Sequence, residues 1–557
     1  MTLFILPQFG VGQSIPDAGA LLRQNKIDGN VIEQQVLKST TTPAIIPMSS
    51  ERLEDNSLTF VVTSFRFTGA TLLSELELQQ IVQPWVNRML HFHDLEVISN
   101  VITEEYHSHG WFVRVVIPEQ DIDDGIVTLN FIEMKLGRVR VVAHQEHPRF
   151  HSQTLIDIVT ARQKIGDYLN VNNLDRASNL LGDLSGVISR LSLAPGEGIG
   201  VTDVVIDVEE KPLLSGLFQI DNNGTLSTGL NRITASLNIE DPRGIDDQIS
   251  FNTISSSGSE YGRISYTVPF FYDGLHVGAE FSEMRYHLIG DFASLDANGS
   301  AQTRGLFCTY PALRLRNLSM SMSCSLEEKI YKNNAAMQQV SDKKVRALTL
   351  GVSVSTSAAD ESFTLLGSNI TLGNLRLSAN PKNEMVDLAG AHTEGVYGKI
   401  NLNFAHLQHL SGRWRLWFSI KGQLALKNLD SSEKFSLGGL DGVSAYPNLE
   451  ATADNGVVVT TELRKIWNQK LQTTLYYEFG AVTVNHFANY PGATQLNDYS
   501  LADVGISSTW NEESKYSIKA SVSRRLGINP AANSATGANS DGSIGRTRYW
   551  LSASFYF

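Results

Sequence analysis

Long hydrophobic runs are missing from this 557-residue chain. Its apolar stretches fall well short of the roughly 20 residues that a membrane-spanning helix needs. Its mean hydropathy of −0.11 is ordinary for a water-soluble protein. A membrane protein built from it must therefore be a closed β-barrel, whose alternating strands average to neutral hydropathy. Basic charge is also scarce: 45 Lys and Arg stand against 58 Asp and Glu, a net −13, which argues against a nucleic-acid partner. Cysteine is confined to Cys308 and Cys324, as in an envelope protein with few thiols. Before the apolar patch Leu3–Leu6 there is no Lys or Arg, so the basic n-region of a secretory signal is lacking. Residues 1–14 read either as a signal remnant or as a flexible tail.

What is present falls into three textures. Ser14-Ile15-Pro16-Asp17 opens a short helix running to about Asn25, with Pro at the first helical position and Asp in the first turn. Thr40 to Asn56 is rich in Thr, Pro and Ser and reads as a linker. An α+β pattern then occurs twice. Leu58–Phe67, Val113–Val116 and Ile126–Ile132 are strand-like, with Leu76 to Met89 helical. The second copy has strands at Arg138–Val142, Val187–Leu193 and Val201–Val208, with helices at Ser152–Val159 and Asn173–Leu184. A repeated strand–helix–helix–strand–strand order is the look of tandem recognition modules.

After Pro212 the helical signal disappears, and sixteen period-2 strands can be marked up to Phe557. In Arg413–Leu424 the residues Trp414, Leu416, Phe418, Ile420 and Leu424 share one face, opposite Arg413, Arg415, Ser419, Lys421 and Gln423. Leu471–Val482 and Tyr516–Ser523 alternate in the same way. Short turns (Asp241–Asp246, Phe270–Gly274, Leu313–Asn317, Gln408–Gly412, Trp467–Gln469, Asn511–Ser514) alternate with long polar loops (Gly290–Ala301, Lys332–Lys344, Asn380–Tyr397, Lys427–Gly456, Asn485–Asp498, Gly527–Arg546). That rhythm is the periplasmic–extracellular asymmetry of an outer-membrane barrel. The last strand alternates Tyr549, Leu551, Ala553, Phe555 and Phe557, a lipid-facing stripe ending on an aromatic. The chain thus divides into a tail (1–14), a helical region (15–34), a linker (35–57), two α+β units (58–134 and 135–212) and a barrel (213–557).

Candidate chemistry is sparse. His91 and His93, and His107 and His109, would share a face on a strand, but no third ligand accompanies them, and they read as surface residues rather than a metal site. Gly196-x-Gly198-x-Gly200 lacks a following helix and a Lys, so it reads as a hairpin turn and not a phosphate loop. Cys308 and Cys324 lie symmetrically about a turn. They read as small lipid-facing hydrophobes in preference to a strained cross-strand disulfide. Arg415, Lys421, Glu462 and Arg464 fall on lumen-facing positions, either as a generic wet wall or as contacts to whatever fills the lumen.

Several motifs together give the chain a family resemblance. Pro16-Asp17-Ala18-Gly19 with Leu21-Leu22-Arg23 stands at the start. Pro118-x-Gln120 with Gly125, then Leu193-x-Pro195-Gly196 with Asp203-Val204-Val205, end the two α+β units. Asp221-Asn222-x-Gly224, Thr228-Gly229, Arg232 and Asp241-Pro242-x-Gly244-x-x-Asp247-Gln248 open the barrel. Gly438-Gly439-Leu440-Asp441-Gly442-Val443-Ser444-Ala445-Tyr446-Pro447, then Glu450-Ala451 and Asp454-Asn455-Gly456, fill a long loop. From Pro16 to Phe557 the chain resembles the outer-membrane translocators of two-partner secretion.

The resemblance implies a sixteen-stranded transmembrane antiparallel barrel, two POTRA domains in the periplasm, and a pore-occluding plug helix carrying Pro16, Asp17, Leu21, Leu22 and Arg23. It implies export, without ATP, of one unfolded exoprotein bearing an N-terminal two-partner secretion domain. It further implies contact with outer-membrane lipid, insertion by the barrel-assembly machinery, and no cofactor, metal or enzymatic activity. The cargo stays open among adhesin, haemolysin, haem scavenger and toxin. An assembly or insertion factor of the same barrel superfamily and a passive porin-like channel are the alternative readings.

One departure stands out. The family usually has Arg where this chain has Ser444, and Asp on the thirteenth strand, matched here by Tyr476-Tyr477-Glu478-Phe479-Gly480. A buried Arg–carboxylate pair would hold the sixth loop inside the barrel. With the cation gone, the expectation is that Glu478 meets another lumen base such as Arg464, or that the loop docks weakly.

Overall fold

The computed structural model describes residues 16–26, 59–512 and 515–557. The expected tail at 1–14 and linker at 35–57 lie outside the described residues. A short helix α1 spans residues 18–26. The first α+β unit follows as β1 (Thr59–Val62), β2 (Ser64–Thr68), α2 (Glu75–Val82), β3 (Arg88–His91), α3 (Phe92–Ser108), β4 (Val113–Val116) and β5 (Ile126–Glu133). The second comprises β6 (Lys135–Ala143), α4 (Ser152–Thr160), α5 (Val171–Gly182), β7 (Val187–Pro195) and β8 (Val201–Glu210). The two three-stranded sheets run β2-β5-β4 and β6-β8-β7, each with one parallel and one antiparallel pairing. Both units are POTRA domains.

Three sequence expectations in the first unit need correction. The strand expected over Leu58–Phe67 is broken at Thr63 into two strands that join different sheets. The helix expected over Leu76–Met89 stops at Val82. Pro84 admits only a 3-10 turn before β3, because proline cannot donate into a continuing helix. The residues from Phe92 onward form helix α3, which buries Leu95, Ile98, Ile102 and Tyr106 on one face. His91 and His109 therefore cap that helix, and His93 and His107 lie within it. Two-residue spacing on a helix turns side chains about 200° apart, so neither pair shares a face, and all four are exposed.

The barrel strands are β9 (Leu214–Asp221), β10 (Arg232–Glu240), β11 (Gln248–Ser256), β12 (Ser259–Pro269), β13 (His276–His287), β14 (Asn298–Arg314), β15 (Leu318–Ala335), β16 (Gln338–Ser357) and β17 (Phe363–Arg376). After helix α6 (Pro381–Ala389) come β18 (Gly395–His409) and β19 (Trp414–Ala425), then a small hairpin of β20 (Phe435–Ser436) and β21 (Thr452–Ala453). β22 (Asn455–Ile466), β23 (Leu471–Thr483), β24 (Asp498–Glu512), β25 (Tyr516–Leu526) and β26 (Thr547–Tyr556) complete the wall. Sixteen of these, all but β20 and β21, close into one antiparallel barrel. At the seam β26 pairs with β9, and Phe557 and Gly216 exchange backbone hydrogen bonds. A Cβ at Gly216 would strike the Phe557 ring, so glycine permits the terminal aromatic to seat there.

Alternation sets the two faces. Leu306, Leu326, Leu350 and Leu372 are all more than half exposed and point outward, while Thr303, Ala301 and Tyr331 are buried inward. Cys308 lies directly opposite Cys324 on the outward face, and both thiols are free. One expected long loop, Lys332–Lys344, does not exist. β15 and β16 continue through it and meet at a two-residue turn, Ala336-Met337, both with positive φ, the backbone that tight hairpins require.

The second POTRA domain is latched to the barrel's periplasmic turns. Asp273, between β12 and β13, accepts hydrogen bonds from Arg162 (2.7 and 2.9 Å), Arg176 (2.8 Å) and the Tyr310 hydroxyl (2.8 Å). Arg314 pairs with Asp183 at 2.9 Å, and Ser185 donates to Asp246 at 2.8 Å. The two POTRA domains are themselves joined through the main chain: Val171 N donates to Gly110 O (2.9 Å) and Leu169 N to Met134 O (2.8 Å).

Burial pushes the Asp273 carboxyl up, but the bonds from Arg162, Arg176 and Tyr310 outweigh it and hold the group below the usual carboxylate range. A depressed carboxylate contributes stability that is complete above the unfolded value of about 3.9 and is lost as pH falls through the lower folded value. The dock should therefore be unchanged at pH 5 and loosen only below about pH 4. Asp273→Ala should cost on the order of 1–3 kcal/mol, read as earlier thermal unfolding and faster proteolysis of the POTRA pair with the barrel still folded.

Candidate functional site

A sixteen-stranded wall encloses a bore wider than its own side chains can fill. Two elements occupy it here. The first is α1. Asp17 is its N-cap, accepting from Ala20 N at 2.9 Å, so Asp17 and Pro16 both precede the helix that was expected to begin with them. The same carboxylate accepts from Ser431 Oγ (2.6 Å) and Lys343 Nζ (3.1 Å), and Lys343 also reaches Asp430 (2.7 Å). Asn333 Oδ1 accepts from Ala18 N at 2.9 Å. Leu21 and Leu22 are buried in a cluster with Met284, Tyr286, Tyr331, Leu375 and Tyr397 of the wall.

The far end of α1 is fixed by charge. Lys26 pairs with Glu327 at 2.6 Å and lies 3.6 Å from Glu280. Arg23 points into a field that includes Glu433 and Asp17. Lys329 joins Glu327 (3.1 Å) to Glu433 (3.0 Å), and Lys399 adds a second cation on Glu433 (2.8 Å). All five expected plug residues thus lie in or beside the lumen helix. Their wall partners Lys343, Glu327, Lys329 and Lys399 were not anticipated from the sequence, although strand alternation places each on the inward face.

The second element is the loop between β19 and β22. Leu437, Val443, Ala445, Tyr446 and Ala453 are buried in a cluster with Val458, Val482 and Leu501 of the wall. Gly438 N donates to Glu450 O (3.0 Å) and Gly439 N to Tyr446 O (3.2 Å), while Pro447 O accepts from Glu450 N (3.2 Å). A Cβ at Gly480 would collide with Leu437, so this glycine lets the loop lie directly on β23.

Ser444 is at the centre and is 1% exposed. Its amide donates to Glu478 Oε2 at 2.7 Å. The next amide, Ala445 N, donates to Asp503 Oδ2 at 2.5 Å. The Ser444 hydroxyl lies 3.3 Å from Asp503 Oδ2 and 2.7 Å from Ser523 Oγ, which also meets the Tyr476 hydroxyl at 2.8 Å. Trp550 Nε1 donates to Ser444 O at 2.9 Å. Glu478 and Asp503 face each other directly across β23 and β24, and both are buried.

Glu478 does not meet Arg464. Arg464 pairs with Glu462 at 2.6 Å and stacks over Trp417. Instead, two consecutive backbone amides of the loop, Ser444 N and Ala445 N, donate to the two wall carboxylates. Asp503, Ser523 and Trp550 complete the seat. Arg525 lies over the Tyr446 ring at 5.3 Å and donates to Asn539 Oδ1 at 3.0 Å. Of the remaining lumen candidates, Lys421 approaches the loop at Asp441 (4.0 Å), and Arg415 pairs with Glu361 at 3.0 Å near the periplasmic end.

The chain matches the family described as haemolysin secretion/activation protein ShlB/FhaC/HecB over residues 200–492, and the ShlB-type POTRA domain over residues 60–133. It is 24% identical over 549 residues to the heme/hemopexin transporter protein HuxB of Haemophilus influenzae strain 86-028NP, covering 94% of each chain. It is 22% identical over 462 residues to the outer membrane transporter CdiB of Escherichia coli, covering 79% of this chain and 75% of CdiB. The fold is similar to the solved structure of CdiB from Escherichia coli, with TM-score 0.71, 18% identity, and coverage of 98% and 100%.

Ser444→Ala keeps both amide donors and should cost about 1 kcal/mol. Asp503→Ala leaves Ala445 N without its acceptor and should cost about 1–3 kcal/mol. Both are read from the temperature at which the folded barrel loses its fast gel mobility, with Asp503→Ala the lower. Asp17→Ala removes a helix cap, worth about 0.5–2 kcal/mol, together with an ion pair to Lys343. It should raise the frequency of open-channel currents in planar bilayers, whereas currents equal to the parent's would show that α1 does not close the pore. The ShlB/FhaC/HecB profile spans more than half of the sequence, on a plugged sixteen-strand barrel carrying POTRA domains, and the chain belongs to this haemolysin secretion/activation family of outer-membrane transporters.

Proposed function

We propose that this protein exports one partner exoprotein across the outer membrane as an unfolded chain. The POTRA domains receive it in the periplasm, α1 and the sixth loop are the gate, and no nucleotide is used. The observation that carries this reading is a bore filled by pieces that are not part of its wall. A helix held by ion pairs and a capping carboxylate can leave without breaking a strand pairing. A passive porin needs no such filling.

The driving force fits the same picture. A partner that folds outside buries apolar surface and closes its backbone hydrogen bonds there, so its own folding free energy biases movement outward. The transporter has only to capture an extended chain, keep it from folding early and offer a polar path. Arg415, Glu462 and Arg464, together with Glu361 and Trp417, line that path toward the periplasmic end. Loop residues Gly438 to Pro447, seated on Tyr476, Glu478 and Gly480, set how firmly the upper lumen is filled. The named relatives are both transporters, which supports the exporting machine as the shared element, and the partner we propose is an exoprotein with an N-terminal secretion domain encoded beside this chain.

Co-expression with the exoprotein encoded beside it tests this. Exoprotein should reach the medium with the intact chain and fall to background when residues 58–212 are deleted. An intact, correctly inserted barrel that leaves the exoprotein in the periplasm would overturn the proposal in favour of an insertion factor or porin.

A further inference from the structure

The outward face of β13 to β17 changes character abruptly toward the extracellular end. One lateral row, in hydrogen-bonded register, reads Ala279, Leu306, Leu326, Leu348 and Leu372. The next row on the same face reads Phe281, Arg304, Glu328, Arg346 and Asn374. Above it lie Glu283, Gln302, Ile330, Lys344 and Arg376, then Arg285, Ser300, Lys332 and Asp342. Six cations therefore crown one sector of the apolar belt against three carboxylates. Glu328 is shared by Arg346 (2.7 Å) and Lys344 (3.0 Å), and Glu283 is taken by Arg285 (2.9 Å). Arg304, Lys332 and Arg376 are exposed and make no ion pair among the described residues.

The patch is local. Outward positions near the same end of β18, β22, β23 and β24 are Val396, Val457, Ala481, Thr483, Ser500 and Asp498. Arg524 on β25, opposite the outward Val504, is a solitary cation. Generic solvation would not gather cations in one sector directly above leucines.

We propose that the outward face of β13–β17 binds the phosphorylated glycolipid of the outer leaflet, with acyl chains on the Leu306–Leu326–Leu348–Leu372 row and phosphates on Arg304, Lys332 and Arg376. Guanidinium groups give forked, charge-assisted bonds to phosphate oxygens, and basic residues just above an apolar belt are attracted to anionic headgroups. The extension of β14–β16 to between 17 and 20 residues carries Arg304 and Lys332 beyond the hydrocarbon layer, which strands of about 9–11 residues already span. Arg376, at the end of the 14-residue β17, is placed beside them by its pairing with Lys344 of β16. The site does not depend on what the transporter exports.

The purified full chain in detergent, mixed with bisphosphorylated lipid A and examined by native mass spectrometry, tests this. The parent should retain lipid A in preference to phosphatidylethanolamine. The triple variant R304Q/K332Q/R376Q, which breaks no ion pair, should retain it at least about tenfold less while keeping the gel mobility of a folded barrel. R524Q should bind like the parent. Equal lipid A retention by the triple variant, or equal uptake of phosphatidylethanolamine by the parent, would overturn the assignment.

Discussion

A wall of strands in lipid must pair every backbone N–H and C=O within itself, because the hydrocarbon offers no substitute partner. The rest of this structure follows from that closure. The seam is its critical joint. β26 and β9 share a short register, and beyond it Asn222 acts as a surrogate strand residue, donating to Tyr549 O (2.9 Å) and accepting from Leu551 N (2.8 Å). Closing sixteen strands removes every edge but leaves a wide bore. Retaining a permeability barrier then requires that something other than the wall occupy the lumen.

The two occupants are held by different physics. α1 inserts only a short apolar face and is otherwise fixed by paired charges, Asp17 with Lys343 and Lys26 with Glu327. Charges returned to water recover their hydration, so such contacts cost little to break when the whole helix leaves. The sixth loop is instead seated on an apolar cluster and on buried carboxylates that accept its main chain. Asn448 of the same loop donates to Asn223 O and Gly224 O beside β9, and Trp550 of β26 donates to Ser444 O. The loop therefore touches both sides of the seam, tying the filling of the lumen to the closure of the wall.

At the periplasmic mouth, the second POTRA domain rests on barrel turns through Asp273, Asp183 and Asp246, and backbone bonds stiffen its junction with the first. The POTRA pair and the channel are consequently one continuous object, joined by side-chain contacts at the barrel turns and by main-chain bonds between the two domains.

The period-2 alternation, the aromatic ending at Phe557 and the sixth-loop motif belong to the sequence alone, since a strand's two faces are a property of its own residues. So do the paired α+β units. The spacing of Leu95, Ile98, Ile102 and Tyr106 also encodes helix α3, although the paired histidines at its ends have the two-residue spacing of a strand. The hairpin at Ala336-Met337 was hidden because polar residues on strands that outrun the membrane look like loop. What holds Ser444 was decided only by tertiary structure. Its partner Asp503 is 59 residues away and faces Glu478 solely because β23 and β24 pair in one register. A contact across a lumen depends on closure, shear and register together, and no local pattern encodes those three.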